Sequence, residues 1–490
     1  MSRDYVAGEK RDQSILFPDT LDEYVTEENP VRFIDAFVES LDLEKLGFKH
    51  SQLDGGAGRP PYDPSDLLKL YVYGYLNQTR SSRRLEKACV SNVEVMWLMK
   101  KLTPDFKTIA DFRKDNIECI KPVFKEFFYI CRSLDLFGAE LVAIDGSKFK
   151  AVNSTKRNLN EKTLSERLKH VEEKITQYMK EMEENDRAEP EEGDRNGGAK
   201  VDGLREKISK LEERRQEYIR AQDRMKETGQ REVSLTDPDS RLMKIDSQKL
   251  DVCYNAESVV DSKNHLVVDY DVTNEANDRY QLARMAQEAK ETLEVERLDV
   301  TADKGFCTGR ELKECEENGI TTYVAIPNET MPNKKLGVPE PEFYSQRFSY
   351  DPIRDVYVCP ANQVMTFWKG RWKNRGRLYR TGACATCPLR SRCTRNKLGR
   401  IIFRSEHQDV IDRLRARLSQ VDGLDKLNKR KEIVEHPFGT IKRAFNQGYL
   451  LLKGLRKVNG EVGFTMLAYN MRRAINIVGT KRLIAQLGPV

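Results

Sequence analysis

The chain has 490 residues, 39% hydrophobic and 33% charged, with a formal net charge of +6. That is apolar material enough for the cores of two or more domains, and a charge small enough that its distribution matters more than its sum. Ten cysteines with no signal-peptide pattern and no apolar run near 18 residues exclude a secreted disulfide framework and a membrane span, and fit a reducing cytoplasm.

Residues 1–135 read as a helical domain. Val31, Ile34, Phe37, Val38 and Leu41 fall at helical spacing within Pro30–Leu43, and Asp66–Leu76 follows the start signal Pro64-Ser65. Ser81 or Ser82 can cap a third helix, and Thr103-Pro104 opens another that carries Ile109, Phe112 and Arg113. The pattern suits a helix-turn-helix reader of DNA and equally a plain helical bundle.

Glu140-Leu-Val-Ala-Ile-Asp145-Gly-Ser147 reads as a strand that delivers a carboxylate to a sheet edge. A long excursion follows at 161–232. Leu164, Leu168, Val171, Ile175, Tyr178 and Met182 form one heptad seam; Leu204, Ile208, Leu211, Arg215, Tyr218, Gln222 and Met225 form another. With the acidic, Gly- and Pro-containing stretch Glu183–Gly203 as the turn, they predict an antiparallel helical hairpin. A dimerisation arm, a DNA clamp and an inert insertion all satisfy this pattern.

The interrupted sheet resumes with paired strands at Leu250–Val260 and His265–Val272 around Asp261-Ser-Lys-Asn, and Asp278–Thr292 reads as an amphipathic helix. Arg297–Ala302 is a strand ending at Asp303-Lys-Gly305; a helix through Leu312 and Cys315 and a strand at Thr321–Ile326 complete the pattern. Next comes an insertion at 331–405. It holds Cys359, Cys384-Ala-Thr-Cys387 and Cys393, which match either four thiolates of a structural zinc or free thiols. From Pro360 to Ser405 there are 12 lysines and arginines and no acid. Lys369, Arg371, Lys373, Arg375, Arg377 and Arg380 can grip phosphates there, while Trp368 and Trp372 either stack on bases or pack inward.

The last informative string is Lys431-Glu-Ile-Val-Glu435-His-Pro437-Phe-Gly-Thr-Ile-Lys442-Arg443. Glu435 and Lys442, seven residues apart, share a helical face. They form either a solvated salt-bridge ladder or a metal-binding carboxylate beside a phosphate-gripping ammonium. Pro437 requires that the helix begin near Glu435 or kink there. Asp145, Asp303 and Glu435, if convergent, repel one another unless divalent cations neutralise them, which suits two magnesium (or manganese) ions and in-line attack on a phosphodiester.

Ala143-Ile-Asp145-Gly-Ser147, Thr301-Ala-Asp303-Lys-Gly-Phe306 and Val434-Glu435-His-Pro-Phe438-Gly-Thr-Ile-Lys442 resemble the three acidic blocks of bacterial insertion-sequence transposases of the DDE class. Arg59-Pro-Pro-Tyr-Asp-Pro-Ser-Asp-Leu-Leu68, Phe106-Lys-Thr-Ile-Ala-Asp-Phe-Arg113 and Asn470-Met-Arg-Arg473 resemble further segments of that family. Where many relatives carry tyrosine and arginine ahead of the third acid, this chain has Asn428 and Lys431.

The resemblance implies an α/β fold: a ribonuclease-H-like mixed-sheet core from 136–160, 245–330 and 406–480, joined to the all-α domain, the hairpin and the cysteine-rich basic insertion. It implies an enzyme that binds the terminal inverted repeats of its mobile element and target DNA, as a homodimer in the synaptic complex. Asp145, Asp303 and Glu435 would hold magnesium for strand cleavage and transfer, and Lys442, Lys431 and Arg443 would contact phosphates. A nuclease on the same fold and a catalytically silent DNA-binding descendant remain the alternatives.

Overall fold

The structure, a computed structural model, describes residues 20–51, 60–187, 196–245, 249–327, 339–371 and 376–488. The chain divides into two compact units. One comprises Met1–Leu136, Thr440–Gly448 and Arg456–Val490; the other comprises Phe137–Gly439 and Tyr449–Leu455.

The first unit opens with six helices: α1 (Pro30–Glu39), α2 (Pro64–Leu76), α3 (Ser82–Ser91), α4 (Val93–Leu98), α5 (Phe106–Asn116) and α6 (Ile120–Ser133). Side-chain caps set several starts: Asn29 accepts from the Val31 amide, Asp63 from Ser65, and Asp105 from Lys107 and Thr108. Every residue of α2 from Asp66 to Leu76 is buried, as befits a helix that is apolar on all sides. Its one lysine, Lys69, is fully buried and pairs with Asp35 at 2.7 Å and with Glu39.

The second unit begins with β1 (Leu141–Lys150) and β2 (Asn158–Asn160), then the hairpin helices α7 (Glu161–Arg187) and α8 (Asn196–Thr228), and then β3 (Glu232–Ser234). Leu164, Val171, Tyr218, Ala221 and Met225 form the hairpin's dry seam. Arg215, polar within that seam, is answered across it by Glu172 at 3.0 Å. At the base, β2 pairs antiparallel with β3. The sequence places a turn over Glu183–Gly203, but α8 already contains Gly197 and Gly198; residues 188–195 lie outside the described set.

The sheet is completed by β4 (Arg241–Lys244), β5 (Leu250–Asp261), β6 (Val267–Thr273), β7 (Leu298–Ala302) and β8 (Ile320–Val324), with α9 (Leu282–Leu293) and α10 (Gly309–Glu317) between its later strands. Its order is β5-β1-β7-β8, and both β4 and β6 pair with the outer side of β5. β5 runs antiparallel to β1, whereas β1, β7 and β8 are mutually parallel. A three-strand antiparallel meander followed by two parallel strands is the mixed α/β core that the sequence implies. β5 is buried from Asp251 to Asp261, as a strand covered on both faces should be.

The cysteine-rich insertion forms a separate five-stranded antiparallel sheet of β9 (Ser349–Asp351), β10 (Val356–Val358), β11 (Val364–Arg371), β12 (Gly376–Arg380) and β13 (Ile402–Ser405), with a short α11 (Arg390–Cys393). α12 (Gln408–Leu418) and α13 (Val421–Gly439) follow, and α13 packs along β1, β7 and β8. Pro437 is buried inside α13, so the helix neither begins near Glu435 nor stops there. Proline has no amide to give the ladder; just past it the chain adopts a π-helical turn, Thr440–Ala444.

Residues 449–455 return to the sheet: Leu450 donates to the Lys150 carbonyl at 2.8 Å, and the amides of Gly454 and Leu455 donate to Asp237 and Asp239 at 3.0 Å each. The chain ends in α14 (Leu455–Val478) and α15 (Thr480–Gln486), where Phe464 stacks on Tyr75 and Tyr71 of the helical unit.

Candidate active site

β1 and β7 are adjacent and parallel, in a register that sets Ile144 opposite Ala302. Asp145 and Asp303, the next residue of each strand, therefore emerge side by side. β7 stops there while β1 runs on to Lys150, so the sheet opens into a gap along the far half of β1. Such mouths at the carboxyl ends of parallel strands are where open α/β sheets hold ligands.

Each aspartate is fixed by the backbone that follows it. Asp145 Oδ1 accepts from the Gly146 amide at 2.9 Å, and Asp303 Oδ1 accepts from the Gly305 amide at 2.6 Å. Asp145 Oδ2 receives the Arg430 guanidinium at 3.2 Å. Burial pushes the Asp145 carboxyl up to about 6, Arg430 opposes the shift, and the like charges of Asp303 and Asp278 add to it. A carboxylate held up in this way binds a proton or a cation readily.

The third block is distributed differently. Ile433, Val434, Pro437 and Phe438 form the buried face of α13, and Phe438 lies 6.3 Å from Phe149 of β1. Glu435 and Lys431 are exposed. Of the basic residues in this block, the one that α13 turns onto Asp145 is Arg430, which sequence spacing does not single out. Lys442 and Arg443 fall on the π-helical turn, in the other compact unit; Lys442 is half-buried and Arg443 exposed.

Three further groups border the gap. Asp278, in the loop ahead of α9, takes the Lys148 ammonium at 3.3 Å and the Asn255 side-chain amide at 2.8 Å on Oδ1. The same Asn255 amide bonds Glu257, which is fully buried and sits opposite Gly146. A Cβ on Gly146 would come within 2.7 Å of Glu257 Oε2. Nothing in the spacing of Asn255, Glu257 and Asp278 marks them in sequence, because only the β1–β5 register and the loop after β6 bring them to one place.

Among the described residues no group of three or more histidine, cysteine, aspartate or glutamate side chains stands ready-made around a metal position. The donor set at the gap nonetheless suits a hard divalent cation: carboxylate oxygens, with Glu257 Oε2 buried and without a hydrogen-bond partner among described atoms.

In the five-stranded insertion, Cys359, Cys384, Cys387 and Cys393 line one small cavity of about 30 Å³, beside Phe343, Phe348 and Met365. Burial pushes the Cys393 thiol up; Arg400 opposes that, and the other three thiols add to it. On β11, Trp368 is half-buried and carries Lys369 over its ring at 4.3 Å and Arg380 at 4.4 Å. Arg377 is tied to Asp355 at 2.8 Å. Arg371 ends β11, and Trp372, Lys373 and Arg375 lie outside the described residues.

Two transposase domain families match the chain: a transposase domain (DUF772) at residues 19–115 and a transposase DDE domain at residues 358–475. Asp145 and Asp303 lie between these matches, and Glu435 lies within the second. No curated protein matches. A piggyBac transposase synaptic complex with hairpin DNA is 9% identical and covers 94% of this chain and 79% of its own, with a TM-score of 0.34, a likeness too slight to argue from. Over these two segments the chain is similar to transposases, the second segment to their DDE domain.

Proposed function

We propose that the protein binds the ends of its own mobile element and cleaves and rejoins DNA strands there, using Asp145, Asp303 and Glu435. The observation that carries this reading is the register of β1 and β7, which sets the first two acids side by side at an open sheet edge. Two divalent ions such as magnesium, when bound, supply Lewis acidity that activates an attacking water or terminal hydroxyl and stabilises the leaving oxygen.

The chain's own groups do the rest. Asp145 and Asp303 offer backbone-braced oxygens; Glu435, the third acid of this reading, belongs to α13, which packs on both strands. Lys431, Lys442 and Arg443 hold phosphates near the scissile bond, Lys431 as a point charge rather than a bidentate fork. The Trp368, Lys369 and Arg380 stack offers cations and an aromatic face to displaced DNA, and Arg371 and Arg377 are further phosphate contacts in this reading. Zinc held by Cys359, Cys384, Cys387 and Cys393 would staple the basic module. Joining two element ends calls for a second copy of the chain, working in the cytoplasm; among described residues no helix is long and apolar enough to cross a membrane.

Alanine at Asp145, Asp303 and Glu435 in turn tests the reading on duplex carrying element ends. Each variant should bind the duplex and fail to cut it with magnesium. Full cleavage by all three would refute the assignment, and cleavage by wild type without joined products would leave a nuclease.

A further inference from the structure

The gap beyond β7 is reached from both faces of β1. Asp145 faces α13 and Arg430. Gly146 and Lys148, one residue out of phase with Asp145, share the other face with Asn255 and Glu257, their register partners on β5. Asp278 joins that second group from the loop between β6 and α9. It also reaches round the end of β7: a Cβ on Gly305 would lie 2.9 Å from Asp303 Oδ1 and 3.5 Å from Asp278 Oδ2. The two carboxylates thus converge on one point just past the strand.

Hydrogen bonding fixes Asp278 by one oxygen. Lys148 and Asn255 both hold Oδ1, while Oδ2 lies 3.5 Å from where a Gly305 Cβ would stand. Behind it, Glu257 is fully buried, and its Oε2 has no hydrogen-bond partner among described atoms. That oxygen points at the Gly146 backbone, beside Asp145, and only glycine leaves room for it. A buried carboxylate oxygen left unanswered is costly unless a cation or a proton meets it. Lys148 and Arg430 are already engaged, one with each aspartate, which leaves the centre of the gap rich in oxygen and short of positive charge.

We propose that Asp278 is a further carboxylate ligand of the divalent-metal centre formed with Asp145 and Asp303, held in place by Lys148, Asn255 and the buried Glu257. This rests on the metal-dependent reading of the Asp145 and Asp303 pair. It assigns the loop ahead of α9, rather than α13 alone, to completing the donor set. Asp278 and Asp303 supply oxygens from one side of the gap, Asp145 supplies one from the other, and Glu257 acts through Asn255 as a positioning residue.

The test is manganese binding to the full chain without DNA, followed by electron paramagnetic resonance. Asp278→Asn keeps the side chain's shape and a bond to Lys148 through its carbonyl. It should weaken manganese about 10- to 100-fold while the melting temperature and element-end binding stay near wild type; Asp278→Glu should recover much of the loss. Wild-type affinity in Asp278→Asn, with binding abolished in Asp145→Asn and Asp303→Asn, overturns the proposal and spares the metal site. Unchanged binding in all three overturns both.

A measurement on the unmutated chain covers the case in which the variant fails to fold. Ferrous iron with ascorbate and peroxide cuts a polypeptide beside the bound ion. Cuts near residue 278 as well as near 145 and 303 are expected; cuts at the latter two with none in 274–281 would overturn the assignment.

Discussion

The gap at the end of β7 and the cysteine module are both candidate metal sites, yet they are built in opposite ways. The gap brings Asp145 of β1 together with Glu257, Asp278 and Asp303, which follow more than 100 residues later, and strand register and the loop ahead of α9 align them. The four thiols come from Cys359 to Cys393, gathered by one small antiparallel sheet and its turns. A site assembled over long range sits on a rigid core that remains folded without the ion. A locally assembled site in a small module with a modest core, Phe348, Tyr357, Met365, Tyr379 and Ile402, leans on its ion for stability.

The sharpest way to break this contrast is to remove one acid from the gap. Asp303→Ala should lower magnesium-dependent cleavage by roughly a thousandfold or more, equivalent to about 4 kcal/mol of barrier, with the melting temperature little changed. Single-turnover cleavage and calorimetry check the two halves of that expectation. In the module the pattern should invert. Cys384→Ser with Cys387→Ser should open residues 339–405 to limited proteolysis and weaken DNA binding while the sheet core stays protected. Equal protection of the module in this variant and in wild type would remove the argument for zinc.

Glycines in each region offer a milder comparison. Gly146→Ala places a methyl 2.7 Å from Glu257 Oε2, and Gly399→Ala, at φ +83°, places one 2.6 Å from Cys384 Cβ. Each should cost about 1–3 kcal/mol by denaturant unfolding. The first should also impair manganese binding, and the second should not.

The smallest effect is in pH. Asp145 titrates near 6, so manganese affinity of the DNA-free chain should be full well above that pH and fall as the carboxyl protonates below it. Arg430 favours the ionised form. Arg430→Gln should therefore move the fall to higher pH, by about half a unit to one unit on the scale of ordinary charge effects. A midpoint unmoved by this substitution would show that the guanidinium does not act on Asp145.

Much of the core was legible in the sequence, since apolar runs ending in Asp145 and Asp303, the paired strands around Asp261 and the heptad seams each depend on local pattern. The α13 block was legible only in part. Spacing directed attention to Lys431 and to a helix beginning near Glu435 or kinking there; the helix starts at Val421, which removes the first alternative, and turns Arg430 onto Asp145. Helical phase relative to a sheet is set by which residues are buried, here Val434, Pro437 and Phe438, and no count along the chain gives it.

By itself the sequence determined the element types, the hairpin, the cysteine cluster, the basic stretch and the two strand-end aspartates, because each follows from periodicity or from neighbours a few residues away. Only the tertiary structure decided that β7 stops short beside β1, and that the Asp278 and Asp303 carboxylates both lie against Gly305 at its end. It also decided that Glu257 lies buried against Gly146, because strand register and a loop's path are long-range choices made by packing.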